Sequence, residues 1–410
     1  MGISIGLVGL GAFGSAFADL FRSHPLVDRI ALCDREPERI EKFAKKESWK
    51  KKFNPKDIYA SLDDICRSDI DALVMITQPW LHAPQCVQAM EAGKHVYSAV
   101  PIISVPDGGE ILDWCDKIIS ACKKTGMSYM LGETTFFHPE AMFCRKKAAE
   151  GAFGDFVYAE GEYFHDLDLG CSLRKVQERR EASASGREWA EKAKLEYRKR
   201  GIKNGPMHYP THSTSGPVCV MKAHAVKVTA YGYANRNDDP FFADDAFSNE
   251  TAIFKMSNGA TVRICEFREV GTAGSEAFRI MGTKASYAEN KWMENGRTAP
   301  LSATPLNKIE ISDEEMRDRL PPEVEKAFLS VYNEGKAPDE QNADFVPHGH
   351  KGSHPYLVNE FVDAIANKRQ PAINAWEAAR YMAMGVMAHK SALKDGETLN
   401  VPDWGDAPEK

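Results

Sequence analysis

Two short stretches of the sequence gather phenol and imidazole side chains. The stretch GEYFHDLD carries Tyr163 and His165, and the stretch GPMHYPTHSTSGPV carries Tyr209 and His212. Phenol and imidazole groups can give or take a proton during a reaction when their pKa values are tuned toward the working pH. We therefore predict acid/base chemistry at these two stretches. The predicted catalytic residues are His212, Tyr209, Tyr163 and His165.

Each of these side chains also has an interpretation without chemistry. A single histidine is more often a structural hydrogen-bonding group than a catalyst, and Tyr163 could simply pack its ring on a sheet. His165, followed by Asp166, is alternatively an oriented imidazole or a cap at the end of a strand. The second stretch is dense in glycine and proline, which predicts a loop on a rigid scaffold, a common place for functional residues.

No metal site is predicted from the histidines. His208 and His212 are four residues apart, but Pro210 lies between them and prevents a regular helix from presenting both rings on one face. The alternative donor set is His165 with one of the two aspartates that follow it. The histidine-rich stretch HGHKGSHP, residues 348–355, is interpreted as a solvated loop, with contact to a substrate as the alternative.

A glycine-rich turn near the start of the chain points to a dinucleotide. Residues 9–14 fit the pattern G-x-G-x-x-G between a predicted strand and a predicted helix. In this pattern the first glycine permits a tight turn, the second lets the backbone approach a pyrophosphate, and the third lets the helix pack on the strand. The start of the helix offers free N–H groups to the phosphates. The predicted cofactor-binding residues of this turn are Gly9, Gly11, Ala12, Phe13 and Gly14.

The end of the second predicted strand indicates which dinucleotide binds. Asp34 lies twenty residues after the last glycine of the turn, where a carboxylate can accept the hydroxyls of the adenosine ribose. Because a carboxylate repels a 2′-phosphate, NAD is predicted rather than NADP. Arg35 stands beside it and could soften that choice. Asp34 and Arg35 are both predicted cofactor-binding residues, and a glycine turn without a ligand is the alternative.

The predicted elements form two domains. Strands and helices alternate up to about residue 133, which predicts a doubly wound parallel sheet of the Rossmann type. Later segments alternate as half-buried strands, including a hairpin around Asn258-Gly259, so the second domain is predicted to be α+β with an open, mainly antiparallel sheet. The predicted boundaries are 1–133, 134–395 and a tail at 396–410, with final helices at 354–395 that could pack back on the first domain.

Two further segments interrupt this pattern. Residues 168–205 are charged and helix-prone, and we predict a solvated helical insertion in preference to a lid over a ligand. Residues 296–347 are predicted to be mostly loop with one short helix. The formal net charge of −7 gives no electrostatic case for nucleic acid, and no apolar run is long enough for a membrane span. Nine scattered cysteines predict reduced thiols in a cytoplasm.

Several stretches together resemble the glucose–fructose oxidoreductase/inositol dehydrogenase (Gfo/Idh/MocA) family. They are GLVGLGAFG, DALVMITQPWLHA, AGKHVYSAVP, GAFGDFVYAEGEY, MSNGATVRI, RIMGTKAS and NEFVDAIANKRQP. The resemblance covers nearly the whole chain. It implies a Rossmann domain followed by an α/β domain with an open sheet, a bound NAD(P), and oxidation or reduction of hydroxyls on sugars, inositols and related compounds. It also implies a homodimer or homotetramer paired through the open sheet.

The resemblance also implies which residues surround the nicotinamide. Residues 77–82 would line it, which adds Thr77, Trp80 and His82 to the predicted cofactor-binding residues. The family normally has Glu-Lys-Pro where this chain has an alanine followed by Val100 and Pro101, and both of these complete the predicted set. The family's lysine moves the hydroxyl proton, and valine cannot, so another base is required.

The same two tyrosine–histidine stretches resemble one branch of that family, the NAD-dependent α-N-acetylgalactosaminidases, which also lacks the lysine. The resemblance implies a redox-neutral reaction: oxidation at C3 of a sugar, removal of the C2 proton by a tyrosine or histidine, expulsion of the group on C1, addition of water and return of the hydride. Three functions therefore remain open: an NAD-dependent oxidoreductase acting on a sugar, glycoside or cyclitol, such a glycosidase, and a nucleotide-binding sensor without catalysis.

Overall fold

The computed structural model describes residues 2–294 and 306–409. Its N-terminal sheet has six parallel strands in the order β3-β2-β1-β4-β5-β6. Strands such as β4, Ala-Leu-Val-Met, are buried along their whole length because helices cover both faces of a parallel sheet. The strands are β1 (Ile3–Val8), β2 (Val27–Cys33), β3 (Phe53–Tyr59), β4 (Ala72–Met75), β5 (His95–Ala99) and β6 (Tyr129–Gly132).

Five helices connect these strands. The order of the sheet reverses between β1 and β4, and the crevice at that reversal is where such folds bind ligands. The glycine-rich turn follows β1 directly, so the first helix begins at the crevice. The helices are α1 (Ala12–Ser23), α2 (Pro37–Ala44), α3 (Leu62–Cys66), α4 (His82–Glu91) and α5 (Gly108–Thr125).

A second, nine-stranded sheet follows. Its order is β14-β13-β12-β11-β7-β10-β9-β8-β15, and among the described pairs only β7 and β10 run parallel. The strands are β7 (Phe156–Phe164), β8 (Ala225–Tyr233), β9 (Asn249–Met256), β10 (Thr261–Phe267), β11 (Ser275–Gly282), β12 (Ala285–Ala288), β13 (Lys291–Glu294), β14 (Asn307–Glu310) and β15 (Leu399–Asn400). The hairpin between β9 and β10 turns at Asn258-Gly259, as predicted.

Some of the remaining helices pack on one face of this sheet, and others reach back to the first one. The ring of Phe17 on α1 stacks on His354 at the start of α13, with centroids 4.2 Å apart, so a C-terminal helix packs on the N-terminal layer. The helices are α6 (Pro139–Ala149), α7 (Leu173–Glu181), α8 (Ala184–Glu188), α9 (Lys194–Lys199), α10 (Thr211–Met221), α11 (Asp313–Met316), α12 (Pro322–Tyr332), α13 (His354–Ala366) and α14 (Ala375–Ala392). A π-helical turn, Trp189–Ala193, joins α8 to α9.

The predicted fold class agrees with this architecture, but the prediction for residues 306–347 was wrong. Residues 296–347 were expected to be loop with one short helix, but residues 306–347 contain β14, α11 and the eleven-residue α12. Helix α12 has proline in its first turn and buries Val324 and Phe328, which are four residues apart and share one face. Residues 296–305 of that prediction lie outside the described residues. Across the described ranges, no helix is long and apolar enough to span a bilayer.

Candidate active site

A cleft of about 1580 Å³ opens at the carboxyl ends of the N-terminal strands, and residues of both sheets line it. Such a volume exceeds that of a typical small-molecule site, as a site for a dinucleotide plus a second ligand requires. The predicted residues that line it are Gly9, Gly11, Ala12, Phe13, Gly14, Asp34, Arg35, Thr77, Trp80, His82, Val100, Tyr163, His165, Tyr209 and His212. Pro101 is not among the lining residues; its carbonyl lies behind, against the ring of His82.

The glycine-rich turn has the shape that a pyrophosphate requires. Gly9 has a φ of +90°, which the tight turn out of β1 imposes. A Cβ added to Gly11 would meet no protein atom closer than Nη1 of Arg39, at 3.8 Å, so the space above this glycine is open to the cleft. The start of α1 at Ala12 lines the same space. The residues present therefore fit a bound dinucleotide.

The carboxylate of Asp34 links this turn to the end of β2 through hydrogen bonds. Its Oδ2 accepts a hydrogen bond from the backbone N–H of Leu10 at 2.7 Å, and its Oδ1 accepts one from the N–H of Glu36 at 2.9 Å. Each carboxylate oxygen retains acceptor capacity beyond these bonds. The carboxylate is thus held rigidly at the rim of the cleft, where sequence analysis predicts the adenosine ribose.

His82 joins two backbone segments at the predicted nicotinamide end. Its Nδ1 lies 2.9 Å from the carbonyl oxygen of Pro101, and its Nε2 lies 3.2 Å from that of Thr77. Burial lowers the pKa of His82 to about 4, so the ring is neutral and donates to only one carbonyl at a time. This geometry gives His82 the role of holding the loop after β4 against the end of β5. Its contact with a cofactor stays a prediction.

The charged insertion covers the cleft, which corrects the preference for a solvated segment over a lid. The indole rings of Trp80 and Trp189 stack with centroids 5.1 Å apart and an interplanar angle of 16°. The amide of Gln78 donates to Oγ of Ser183 at 3.1 Å. The helices predicted from the high charge of residues 168–205 are present. The contacts of Trp189 and Ser183 hold these helices against the loop after β4. We call α7 to α9 with the π-helical turn, residues 173–199, the cover.

The structure brings three of the predicted catalytic rings together. The centroid of Tyr163 lies 4.8 Å from that of His212 and 6.4 Å from that of Tyr209, and Tyr209 and His212 are 5.7 Å apart. Tyr163 comes from β7, whereas Tyr209 and His212 flank the start of α10. The cluster therefore depends on how closely β7 and α10 pack.

A glycine on β7 permits that close packing. A Cβ on Gly161 would lie only 1.9 Å from the carbonyl oxygen of Ser213 on α10. The prediction of a loop at this second stretch was wrong, because the buried α10 begins at Thr211 and continues through Pro217. Pro217 has no N–H to give to the Ser213 carbonyl, and the missing side chain at Gly161 leaves room for that carbonyl against the strand.

Tyr163 and His165 form a directed hydrogen-bonded pair. The Tyr163 hydroxyl lies 2.6 Å from Nδ1 of His165, and Nε2 of the same ring lies 2.6 Å from the carbonyl oxygen of Cys171. Because a carbonyl only accepts, the His165 proton belongs on Nε2, and Tyr163 donates to Nδ1. Burial raises the pKa of Tyr163 well above its usual value and lowers that of His165. At rest the phenol is therefore protonated and its acceptor is a neutral imidazole.

His212 is paired with a carboxylate that sequence analysis missed. Its Nδ1 lies 2.9 Å from Oε1 of Glu133, which follows β6 directly and is fully buried. Burial alone would lower the pKa of His212, but neighbouring carboxylates, Glu133 above all, raise it to about 9. The pairing also holds the pKa of Glu133 below its usual value against the effect of burial. His212 is thus an imidazolium at neutral pH.

The remaining nitrogen of His212 is available to a ligand. Within the described part of the chain, no hydrogen bond is formed by Nε2, and the ring lines the cleft. An imidazolium held this way donates a proton or a strong hydrogen bond and does not act as a base. The sequence signal for Glu133 was available: an acid that directly follows a buried parallel strand lies at the edge where ligands bind.

Tyr209 lies against Val100, the position at which the resemblance leads us to expect lysine. Its hydroxyl donates to the backbone carbonyl of Val100 across 3.4 Å, which is a long hydrogen bond that a substrate oxygen could replace. Burial raises the pKa of Tyr209 to about 12, so its hydroxyl stays protonated. Val100 itself is buried and contributes no polar side-chain atom to the cleft.

A second acidic group and an arginine beneath the cluster were also missed. Arg268 donates to Oε2 of Glu266 at 2.7 Å, and its guanidinium lies 4.9 Å from the ring centroid of Tyr163. Ser213 donates to the other oxygen of Glu266. Burial raises the pKa of Glu266 to about 7. The signal was the sequence ICEFR, residues 264–268, in which Glu266 of β10 and Arg268 just after the strand occupy inward-facing positions of an alternating pattern.

The histidine-rich stretch at 348–355 contributes one ring to the cleft wall. His350 lines the cleft, and its Nδ1 lies 2.9 Å from Nε2 of His354. The interpretation of this stretch as a solvated loop was therefore wrong for His354, which is buried, whereas His350 is exposed on the cleft wall. In the described ranges, no cluster of three or more histidine, cysteine, aspartate or glutamate side chains has the geometry to hold a metal ion.

Comparisons with known proteins agree with the fold and the turn. Residues 3–133 match the Gfo/Idh/MocA family model, described as an oxidoreductase family with an NAD-binding Rossmann fold. This match confirms the resemblance predicted from the sequence and the predicted NAD cofactor. Among solved structures, levoglucosan dehydrogenase in complex with NADH and levoglucosan superposes with a TM-score of 0.70 at 16% identity, over 98% of this chain and 100% of that one.

Curated relatives extend over almost the whole chain. An α-N-acetylgalactosaminidase of Tannerella forsythia is 24% identical over 407 residues, which is 92% of this chain and 80% of the relative. A glycosyl hydrolase family 109 protein of Bacteroides fragilis is 24% identical over 430 residues, which is 98% of this chain and 92% of the relative. The first of these relatives carries the name of the enzymes that the tyrosine–histidine stretches resemble.

Proposed function

We propose that this chain, whose N-terminal region has the NAD-binding Rossmann fold of the Gfo/Idh/MocA oxidoreductase family, oxidises a hydroxyl of a sugar, glycoside or cyclitol. In this proposal a tyrosine–histidine pair replaces the lysine that is absent at Val100. The observation that carries it is the hydrogen bond from Tyr163 to His165, which lies beside the cationic His212 in the cleft. A non-catalytic sensor has no need of such a directed pair.

NAD, when bound, accepts a hydride from a carbinol carbon or returns it. The chain's own contribution begins with holding the dinucleotide. The open turn at Gly11 accommodates the pyrophosphate, Asp34 presents its carboxylate to the ribose, and the cover closes over the cleft. The stack of Trp80 on Trp189 shields the cleft from water on that side.

The proton of the reacting hydroxyl leaves through Tyr163. As its oxygen accepts that proton, the phenol passes its own proton to Nδ1 of His165, so no free phenolate forms. This relay removes the need for a tyrosine of low pKa, which burial makes unattainable here. His165 is half-buried and lies toward the rim.

His212 stabilises negative charge that develops on the substrate oxygen. Its pKa of about 9 keeps the ring protonated at neutral pH, and Glu133 fixes its orientation from the opposite side. A charged donor that is positioned before the reaction stabilises such a charge without reorganisation. This role differs from that of a base, although His212 is one of the four catalytic residues predicted from the sequence. We thus propose Tyr163 and His165 as the groups that move the hydroxyl proton and His212 as the charged hydrogen-bond donor.

The second candidate function is a redox-neutral glycosidase. It is favoured by the relatives named α-N-acetylgalactosaminidase and glycosyl hydrolase family 109 protein, and by the second proton-active group, Tyr209, next to Tyr163. In that reaction one residue moves the hydroxyl proton, and another removes the proton on the neighbouring carbon. The same cleft contains enough groups for both steps.

One experiment separates the two functions. Purified protein is incubated with NAD and a panel of sugars, cyclitols and aryl glycosides, and NADH absorbance and phenol release are followed together. Accumulation of NADH supports the oxidoreductase. Phenol release without accumulation of NADH supports the glycosidase. Binding of NAD without either signal across the panel would contradict both and leave the nucleotide-binding sensor.

We also propose an oligomer and a cytoplasmic setting. The outer face of the second sheet exposes Tyr231 and Ile253, which a homodimer or homotetramer would cover. Eight of the nine cysteines are buried as free thiols, a state that a reducing cytoplasm maintains. The acidic net charge makes a small carbohydrate-type ligand the expected partner in preference to nucleic acid or a membrane surface. Light scattering of the purified protein tests the oligomer.

A further inference from the structure

A residue of the cover neutralises the arginine beside the predicted ribose site. Both terminal nitrogens of Arg35 donate to the carboxylate of Glu188, at 3.1 and 2.8 Å. This is a two-point guanidinium–carboxylate pair, the geometry that also suits a phosphate. The Arg35 side chain is 60% exposed and that of Glu188 is 55% exposed, so a ligand at the rim can reach the pair.

The other cation at this rim is paired as well. Arg39 lies 2.5 Å from an oxygen of Glu36 and 3.7 Å from Oδ2 of Asp34. Asp34 already accepts two backbone hydrogen bonds, which hold its negative charge in place. An added 2′-phosphate would therefore meet a fixed carboxylate and two guanidinium groups that are both engaged with other acids.

We propose that Glu188 is a specificity residue that makes the site select NAD over NADP, by occupying the guanidinium of Arg35 that a 2′-phosphate would need. The inference rests on the proposed dinucleotide site and adds a determinant that lies outside the Rossmann fold. If Asp34 alone discriminated, the guanidinium of Arg35 would remain free to bind the 2′-phosphate of NADP. Because Glu188 occupies that guanidinium, the 2′-phosphate has no free cation at the rim.

The cover holds Glu188 in place through its neighbours. Ser183 caps α8 by accepting the N–H of Gly186 at 3.0 Å, and Glu188 ends that helix. The next residue, Trp189, stacks on Trp80 of the N-terminal layer. Glu188 is thus anchored on both sides. Glu191, three residues later, is an exposed acid that forms no ion pair among the described residues and gives a matched control.

The test is the dissociation constant of NAD and of NADP, measured by titration calorimetry on the full chain. In Glu188→Gln the ratio Kd(NADP)/Kd(NAD) should fall about tenfold, since a freed arginine gains a charged hydrogen bond to the phosphate. Glu191→Gln makes the same change of charge and should leave the ratio unaltered. In Glu188→Gln combined with Arg35→Ala the ratio should return to at least the wild-type value. Thermal melts show that each variant is folded.

Three results would overturn the inference. The first is an unaltered ratio in a folded Glu188→Gln variant. The second is an equal fall in Glu191→Gln, which would show a general effect of charge. The third is a lowered ratio that persists when Arg35 is removed. Failure of the proposed function looks different, because wild-type protein that binds neither dinucleotide would show that the site itself is assigned wrongly.

Discussion

The hydroxyl of Tyr209 lies 3.4 Å from the backbone carbonyl oxygen of Val100, the position at which the resemblance to the Gfo/Idh/MocA family leads us to expect lysine. A phenol from the second half of the chain therefore contacts the backbone at that position. Tyr163 and His212 lie within 6.4 Å of Tyr209, measured between ring centroids. A position that has no amine thus lies beside a cluster of three proton-active rings.

Replacing Tyr163 by phenylalanine should lower kcat by about a hundredfold to a thousandfold, because the variant loses the oxygen that passes the proton to His165. Turnover is measured with the substrate identified in the panel, and NAD affinity is measured in parallel. Tyr158→Phe is the control, since Tyr158 is on the same strand but donates to Glu160 outside the cleft. Equal activity of the two variants would contradict the relay.

Replacing Glu133 by glutamine should move the alkaline limb of the pH profile of kcat/KM. In the wild type His212 must be protonated, so activity falls as pH rises through about 9. Without the carboxylate, burial lowers the pKa of His212 against only the weaker effects of Glu276 and Glu266, so the limb should move to lower pH. If the alkaline limb of the profile stayed at the same pH in Glu133→Gln, His212 would not be the group whose titration limits activity. Glu162→Gln on the other face of β7 should leave the profile unchanged.

The same pair links stability to pH. The pKa of His212 in the folded protein, about 9, is above its ordinary value of 6.5. Its contribution to the free energy of unfolding is therefore complete below pH 6.5 and is lost as pH rises through 9. Denaturant titrations of the wild type and Glu133→Gln at the two pH values should show the difference between them shrink at the higher pH.

Replacing Gly11 by alanine should weaken NAD binding by at least about tenfold while the melting temperature stays within about two degrees of the wild type. The added methyl group meets no protein atom within 3.8 Å, and φ at this residue is −63°, which any residue adopts. Only a ligand close to the backbone can detect the change. Calorimetric titration measures the dissociation constant of NAD for the variant and the wild type. Equal constants would show that the pyrophosphate does not lie against Gly11.

Replacing Trp189 by alanine should increase the dissociation rate of NAD, because the stack on Trp80 holds the cover across the cleft. Loss of an aromatic pair costs about 1 kcal/mol beyond buried area, so an acceleration of about fivefold or more is expected. Stopped-flow displacement of NADH measures it. Trp114→Ala, on α5 and outside the cleft, is the control. Equal rates in both variants would leave the cover without a role in retaining the cofactor.

The dinucleotide half of the site could be predicted from the sequence because its signals are local. The turn at Gly9 and Gly11 lies between a strand and a helix that directly adjoin it, and Asp34 directly follows the next strand. Parallel topology then brings these residues to one edge of the sheet. No contact between distant segments had to be known.

The acid/base half could be predicted only in part. The residue types at Tyr163 and His212 indicated their chemistry, but their approach depends on Gly161 packing against the Ser213 carbonyl, a contact between distant segments. Glu133 was missed because its function depends on its contact with His212, which is 79 residues away in the sequence. The roles of these residues stay predictions.

The position of the cover could not be predicted from the sequence. Its charge density indicated helices, and two indoles that stack across the cleft decide where those helices lie. Single aromatic residues in a charged segment carry no periodic signal, so their partners cannot be identified from the sequence. The predicted domain boundaries at 133 and 395 also stay predictions.

Cys171, whose carbonyl ends the hydrogen-bonded chain from Tyr163 through His165, has the one exposed thiol among the nine. Cys171 also lines the cleft and lies two residues before the cover begins at Leu173. The imidazole of His165 is therefore oriented by the same backbone segment that leads into the cover. A displacement of the cover that moves this segment would also turn the imidazole away from Tyr163, so an open cleft and an idle proton relay would occur together.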